Sequence, residues 1–391
     1  MMERPTAQEL VRRAGSLAKT FAGRARAAEA ARRLPEETIG ELVESGLLRV
    51  LQPARYGGYE MDMPTFVQLV LEIARQDAAS GWIYAIFGIH NWWLGYVDPQ
   101  LQEEIWGERT DRLFADAFAP VGRVEPVKGG YRLSGRWKFL SGVEWSDYVA
   151  VGAMLSGEGG EPEYVMFFLP KDDYGIEDEW HVVGLRATAS NTVVVDDAFI
   201  PPHRLFPLGR VLSTGEAPGQ AVNRGPLYRV PFMVGAGAAL AAPVVGAARG
   251  AVDQFRRWIM QREPLFVGKR QGEKAHAQMA LAEASTTLDV VEELLYRYAR
   301  QSMAFGHERR LPSQQERARF YAWRAFAVRQ SMRVVDRLFE LSGGHSLFEG
   351  HPLQRIWRDV YAAGQHVALN YESALEAYGR TLVGLPSQGF F

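Results

Sequence analysis

Between about residues 114 and 206 the hydrophobic pattern of this chain changes from a helical to a strand-like period, and then changes back. A fold that accommodates this must set a small β unit between two helical ones. The β block reads as short runs broken by turns: Val124–Val127, Tyr131–Trp137, Tyr148–Leu155, Tyr164–Leu169 and Thr192–Val195, with Lys128-Gly129-Gly130 as a hairpin. Close spacing, with no helical segment between the runs, predicts a small antiparallel sandwich or barrel and argues against a Rossmann sheet.

Helix signals dominate before this block. Pro35 stands at a helix start, Ile39, Leu42 and Val43 keep helical spacing, and Gly46 supplies the stop. After the loop Tyr56–Tyr59, Pro64 opens a helix with Phe66, Leu69, Val70 and Ile73 on one face, and Ser80–Tyr96 is unusually aromatic. From about residue 226 the chain is helical again. Ser313 followed by Glu316 is a capping box that starts a helix running to Leu341, Ser342-Gly343-Gly344 ends it, and one last long helix is expected from Pro352 to about Tyr378. The expectation is a mostly α protein with a central small antiparallel β domain: an N-terminal helical domain over 1–113, a β domain over 114–210 and a C-terminal helical bundle over 225–391.

Composition narrows the function classes. A net charge of −2 provides no long-range field for nucleic acid or an anionic membrane. The absence of cysteine removes disulfides, thiolate nucleophiles, Cys-ligated zinc and iron–sulfur clusters, and is compatible with a reducing, cytoplasmic setting. The Arg- and Ala-rich first thirty residues read as a surface helix with Leu10, Val11, Leu17 and Phe21 inward; Glu3, Glu9 and Glu29 argue against a transit peptide, and no secretory signal is visible. The uncharged stretch Phe232–Ala248 is short of the ~20 apolar residues that span a bilayer and carries Pro243. Its Gly235, Ala236, Gly237, Ala238 and Ala239 suit a buried helix lying close to a neighbour.

Among the eight histidines there is no His-Glu-x-x-His and no i, i+4 pair, so no metal site is expected. The phosphate loop of nucleotide-binding proteins and the Gly-x-Ser-x-Gly elbow are both missing, and Gly235-Ala-Gly237 follows no strand and lacks the third glycine of a dinucleotide fingerprint.

Three segments then point one way: Trp137-Lys-Phe-Leu-Ser141-Gly142, Gly184-Leu-Arg-Ala-Thr188-Ala-Ser190 ahead of a strand ending Ile200-Pro201, and Ser342-Gly343-Gly344 followed by Arg355-Ile-Trp-Arg358-Asp359. In this order and spacing they resemble the acyl-CoA-dehydrogenase-type flavoproteins. That resemblance implies an N-terminal helical domain, a middle β-barrel or sandwich and a C-terminal four-helix bundle, assembled as a homotetramer. The dehydrogenases of this type use a glutamate base, in many of them about eight residues after the Arg-Asp pair. Here that neighbourhood reads Gly364-Gln365-His366-Val367, which leaves Glu372 or an earlier helix as the source of a base. The reduced-flavin monooxygenases of the same fold carry a histidine in the last helix and a Ser-Gly in the flavin-facing loop, as His366 and Ser141-Gly142 do here.

The resemblance to this second branch implies the oxygenase component of a two-component monooxygenase. Such a protein takes reduced FMN or FAD from a separate NAD(P)H flavin reductase, reacts it with O2 to a C4a-hydroperoxyflavin and hydroxylates a small, mostly aromatic substrate; N- and S-oxygenation remain open. With no nucleotide-binding motif of its own, such an enzyme needs that external donor. On this reading His366, Ser141 and His90 are catalytic candidates. His366 takes a proton from a phenol or relays one to the departing flavin oxygen, and Ser141 bonds flavin N5 or the distal peroxide oxygen. Trp137, Ser141, Gly142, Thr188, Ser190, Arg262, Phe266, Gly343 and Gly344 are expected around the flavin, and His90, Trp82 and Trp92 around the substrate. An ordinary core Trp, turn serines, a surface Arg and a helix C-cap would account for several of them equally well. An acyl-CoA dehydrogenase is the competing enzyme, distinguished by a catalytic carboxylate.

Overall fold

Thr6 accepts a hydrogen bond from the amide of Glu9 while the Glu9 carboxylate takes the amide of Thr6, a reciprocal cap that starts α1 (Ala7–Ala31). The inner face of α1 buries Leu10, Ala14, Ala18, Phe21, Ala25 and Ala28. The computed structural model describes residues 4–156, 161–262 and 270–388. The remaining N-terminal helices are α2 (Glu36–Glu44), α3 (Met63–Gln76), α4 (Ala78–Trp93) and α5 (Pro99–Trp106). Asp62 and Asp77 cap α3 and α4 by accepting from the amides of Thr65 and Ser80. Every residue of α4 is buried, which explains why its sequence shows an aromatic run and no amphipathic period.

The sheet consists of β1 (Phe114–Val127), β2 (Gly130–Leu140), β3 (Tyr148–Leu155), β4 (Glu163–Pro170), β5 (Gly175–Glu177), β6 (Asn191–Ile200) and β7 (Leu205–Phe206), in the order β5-β6-β2-β1-β3-β4-β7. The hairpin between β1 and β2 turns at Lys128-Gly129, where Gly129 has φ +86°. The pairings are antiparallel except for β1 with β3. That parallel pair is absent from the antiparallel expectation, and its register shifts between Ala117 and Gly122. The first part of the long β1, Phe114–Ala117 and Gly122, lies along β3, and Arg123–Val127 lies along β2.

After α6 (Leu208–Thr214) the C-terminal helices are α7 (Phe232–Gln261), α8 (Ala275–Glu308), α9 (Gln314–Ser342), α10 (Pro352–Gly364) and α11 (Tyr371–Leu382). Ser313 and Glu316 form the expected capping box of α9. By length and composition α7 is the one helix among the described residues that would cross a membrane, but 78% of its apolar window is buried inside the protein. Its glycines explain how it is buried. A Cβ at Gly246 would stand 2.8 Å from the Leu71 carbonyl oxygen, and one at Gly250 would overlap that of Arg75, so α7 lies backbone to backbone against α3. Arg75 and Asp253 pair across the same contact at 2.6 Å.

The single last helix expected from Pro352 to Tyr378 is a correction: it breaks after Gly364, passes through a 3-10 turn over Val367–Leu369 and restarts at Tyr371. The break has a local cause. His366 Nδ1 accepts from the Ala368 amide and Asn370 Oδ1 from that of Ser373, side-chain bonds that compete with helix continuation. Gly364 sits against Met332, where a Cβ would be 2.6 Å from its sulfur.

The closeness of α3 and α7 is testable. Gly250→Val should lower the urea midpoint by about 2 kcal/mol of stability with an unchanged m-value, the scale of forced overpacking. An unchanged midpoint would mean that the two helices are further apart than described.

Candidate active site

α4, β1, α7, α9 and the 3-10 turn converge on a cavity of about 360 Å3, within the usual range for small-molecule sites. α4 supplies Ile86, Ile89, His90, Trp92 and Trp93; β1 supplies Asp116 and Phe118; α7 supplies Phe232, Met233, Ala236, Gly237 and Leu240. Tyr321 and Arg324 from α9 and His366, Val367 and Ala368 from the turn complete most of the wall. The aromatic side is layered: Trp93 stacks on Phe118 at 5.3 Å, and Trp92 on Phe232 at 5.5 Å. Flat apolar walls with a few polar atoms suit a flat apolar guest.

His90, expected at the substrate, lines this cavity. Its Nδ1 lies 2.6 Å from the Phe114 carbonyl oxygen, and since a carbonyl only accepts, the proton is assigned to Nδ1. Its Nε2 is 3.4 Å from Asp116 Oδ2, and its ring stacks on Phe114 at 4.3 Å. Trp92 also lines the cavity. Trp82 does not; its ring stands 5.9 Å from that of His366 on the other side.

His366 sits at the amino end of the 3-10 turn, not within a helix as expected, and lines the cavity. Burial pushes its imidazole down to about 4, with the Asp116 carboxylate opposing and the Arg324 guanidinium adding to the shift. It is therefore neutral at physiological pH. Because Nδ1 accepts the Ala368 amide at 3.2 Å, the ring proton is assigned to Nε2. A neutral ring protonated at Nε2 presents a donor there, the state needed for the second of the two expected roles, relaying a proton, and not for the first, taking one at Nε2.

Beyond Trp82 lies a line of hydroxyls. Trp82 Nε1 donates to Ser141 Oγ at 3.0 Å, Ser141 and Ser190 are 2.8 Å apart, Ser190 and Thr188 are 2.7 Å apart, and Thr188 Oγ1 donates to the Leu185 carbonyl at 2.8 Å. The terminal carbonyl sets the direction. Thr188 spends its proton on Leu185, so Ser190 donates to Thr188 and Ser141 donates to Ser190. Ser141 is left with a lone pair and no free proton, so a ligand must donate to it.

The segment carrying Thr188 and Ser190 is clamped by the third motif. Asp359, fully buried and pushed up to about 7 by that burial, accepts from the Leu185 amide at 2.6 Å. Arg358 bonds the Val183 carbonyl at 2.9 Å and pairs with Glu29. A Cβ at Gly184 would overlap the Arg358 carbonyl, so only glycine passes there.

Other expected residues lie elsewhere. Trp137 is a correction: it is fully buried in the core of the β domain, with Nε1 bonded to the carbonyls of Ala119 and Gly152, and turns no face to the cavity. A ring that large between two layers of the sheet is part of the core. Gly142 has φ +78°, and a Cβ there would stand 2.6 Å from the Phe87 ring. Arg262 ends α7 over the Trp258 ring at 4.7 Å, with Nη1 3.4 Å from the Ser342 carbonyl, beside Gly343 at φ +64°; Cβ atoms at Gly343 and Gly344 would meet open space. Phe266 lies outside the described residues. Glu372, the alternative base, is on the surface, its side chain 73% exposed and paired with Arg329. Sequence reading missed Asp116 and Arg324. Arg324 had a signal, a cation on the same helical face as Tyr321 and Val328; Asp116 stood out only as an acid in an apolar strand.

The His366 environment makes a prediction about pH. Its folded value lies below the ordinary 6.5, so the unfolded chain binds more protons between pH 6.5 and about 4, and stability falls as pH falls through that window. His366→Gln should lose about 2 kcal/mol less stability than the wild type between about pH 7.5 and pH 5, read by urea unfolding. Equal losses would mean that the imidazole is not held neutral.

Comparison with known proteins agrees with this geometry. Residues 4–97 match the acyl-CoA dehydrogenase N-terminal domain and residues 238–371 the acyl-CoA dehydrogenase C-terminal domain. The oxygenase subunit HsaA of a flavin-dependent monooxygenase from Rhodococcus jostii is 35% identical, over 96% of this chain and 98% of its own. The oxygenase component of the FADH2-dependent resorcinol hydroxylase of a Rhizobium species is 32% identical, over 97% of this chain and 95% of its own. The crystal structure of the HsaA monooxygenase from M. tuberculosis superposes with a TM-score of 0.92 at 32% identity, covering 98% of this chain and 99% of that one. This chain belongs to the flavin-dependent monooxygenases built on the acyl-CoA-dehydrogenase fold.

Proposed function

We propose that this chain is the oxygenase component of a two-component system that hydroxylates a small aromatic substrate with reduced FMN or FAD delivered by a separate NAD(P)H flavin reductase. The observation that carries the reading is the aromatic-walled cavity ending at a neutral His366, with Ser141 one indole away. The names of the relatives, an oxygenase subunit and an oxygenase component, support a separate reductase. We assign the protein to the cytoplasm as a homotetramer, the assembly implied by the fold.

The residues fit a flavin. Ser141 offers an unfilled lone pair, suited to the N–H that a reduced flavin carries and an oxidised one lacks at N5. In the same clamped segment the buried Nε of Arg186 has no partner among the described residues. Ser141, Gly142, Thr188 and Ser190 would hold the ring, with Arg262, Gly343 and Gly344 as phosphate candidates. When bound, reduced flavin supplies the two electrons with which O2 is activated.

The protein contributes three things. The rings of Trp92, Trp93, Phe118 and Phe232 exclude water, which suppresses unproductive release of peroxide. His90 and Asp116 offer polar atoms to a substrate hydroxyl, and His366 holds a proton at Nε2 for transfer or donation at the cavity end. A dehydrogenase would need a free carboxylate base in the cavity. Asp116 is the one carboxylate lining it among the described residues, and it is engaged with His90.

Mixing the protein with photoreduced FMN or FAD, then with oxygenated buffer, tests this. The wild type should show an absorbance transient distinct from reduced and oxidised flavin. In Ser141→Ala it should decay about 10- to 100-fold faster with matching release of hydrogen peroxide, the scale of one lost hydrogen bond to a reacting group. Direct appearance of oxidised flavin in the wild type would overturn the reading.

A further inference from the structure

Among the described residues Arg324 is a buried cation with no ion-pair partner. It is 2% exposed and lines the cavity. Its Nε donates to the Ala368 carbonyl at 2.8 Å, its guanidinium lies 4.6 Å from the centre of the Tyr321 ring, and the Tyr298 hydroxyl, itself donating to the Val234 carbonyl, faces it. Among the described residues no carboxylate stands within ion-pair distance of it.

Asp116, the one carboxylate among the described lining residues, forms no ion pair with this guanidinium. Its Oδ2 stands 3.4 Å from His90 Nε2, on the side of the cavity formed by α4 and β1. Tyr298 and Tyr321 are kept as neutral phenols by burial. Among the described lining residues Arg324 is therefore a guanidinium without an ion-pair partner, in a site where an unpaired charge is costly.

The fold makes room for this guanidinium. Gly237, inside α7, faces it; a Cβ there would stand 2.7 Å from Arg324 Nη1 and overlap the Tyr298 hydroxyl. A helix-interior glycine weakens the helix relative to alanine, and here it keeps the space that the arginine fills.

We propose that Arg324 is the seat of a carboxylate on the aromatic substrate, so that the enzyme acts on a monoanionic hydroxyaryl acid. A phenol with an ordinary pKa near 10 enters neutral and cannot supply the charge, whereas a carboxylate carries it at any physiological pH. The fork of Nη1 and Nη2 matches two carboxylate oxygens. The substrate hydroxyl then falls to the polar atoms of His90 and Asp116 in the same cavity. This inference rests on the cavity being the substrate site of an aromatic hydroxylase.

The probes are (4-hydroxyphenyl)acetate and its methyl ester, which differ in the charge. Binding is followed by tryptophan fluorescence of the full chain, with and without reduced flavin under anaerobic conditions. The wild type should bind the acid at least about tenfold more tightly than the ester, as one charge-assisted pair implies. In Arg324→Met the acid should weaken by about 10- to 100-fold while the ester stays within about threefold, removing the preference. Ester binding as tight as acid binding in the wild type, or a preference that survives in Arg324→Met, would overturn the seat. Because Arg324 is buried and bonded to Ala368, the wild-type comparison of acid with ester decides the matter if the variant does not fold. The flavin–oxygen transient in the same samples keeps the two ideas apart: lost acid preference with the transient intact removes only the seat, and a missing transient removes the oxygenase reading.

Discussion

The structure depends on the contact of α7 with α3 through bare backbone. A helix with glycines at 246 and 250 can lie against the carbonyls of Leu71 and Arg75, where a Cβ would stand 2.8 Å or less from a carbonyl oxygen. That approach brings the amino-terminal half of α7, from Phe232 to Leu240, opposite α4 and makes the two helices facing walls of one cavity. Helical glycine costs about 1 kcal/mol per position relative to alanine, and burial of the rest of α7 offsets it. Membrane-like composition and enzymatic function thus have one origin: a helix that must be apolar on nearly every side because it is surrounded.

A second constraint joins segments far apart in sequence. The Arg358-Asp359 pair of α10 holds the loop of Leu185 in place, and that loop carries Thr188 and Ser190, whose hydroxyls set the direction in which Ser141 donates. A buried carboxyl so used cannot be replaced freely. Its removal would release a backbone amide in the interior, at a cost of about 1–3 kcal/mol, and with it the polarity of the hydroxyl line. The motifs that carry the family resemblance are therefore physically coupled, and Asp359 acts as a positioning residue for Ser141 through two intermediaries.

Much of this was legible from residue patterns. The switch of period at residue 114, the hairpin at Lys128-Gly129 and the capping box at Ser313 are local signals with local physical causes, and they appear as read. What was not legible depended on tertiary partners. The break at His366 comes from side-chain caps that pass for ordinary polar residues in a helix-period pattern, and Gly364 reveals its role only against Met332 of α9. Trp137 sits in a motif shared with flavoproteins yet points into the sheet, since alternation along β2 is decided by the β-domain core. Asp116 and Arg324, the two charges of the cavity, come from β1 and α9, and no spacing rule joins residues so far apart. The absence of a glutamate near His366 was readable; that Glu372 faces solvent was not.

The account makes the cavity a place where oxygen reaches an aromatic carbon before water can intervene, with electrons supplied from outside the chain. Isotope tracing tests that claim most directly. A complete system of this protein, FAD or FMN, an independent flavin reductase, NADH and a hydroxyaryl acid is run under 18O2, and the product is weighed by mass spectrometry. The account predicts a hydroxylated product carrying one 18O atom, formed only when this chain is present. Product oxygen drawn from water, or consumption of 18O2 that ends entirely as hydrogen peroxide, would contradict it.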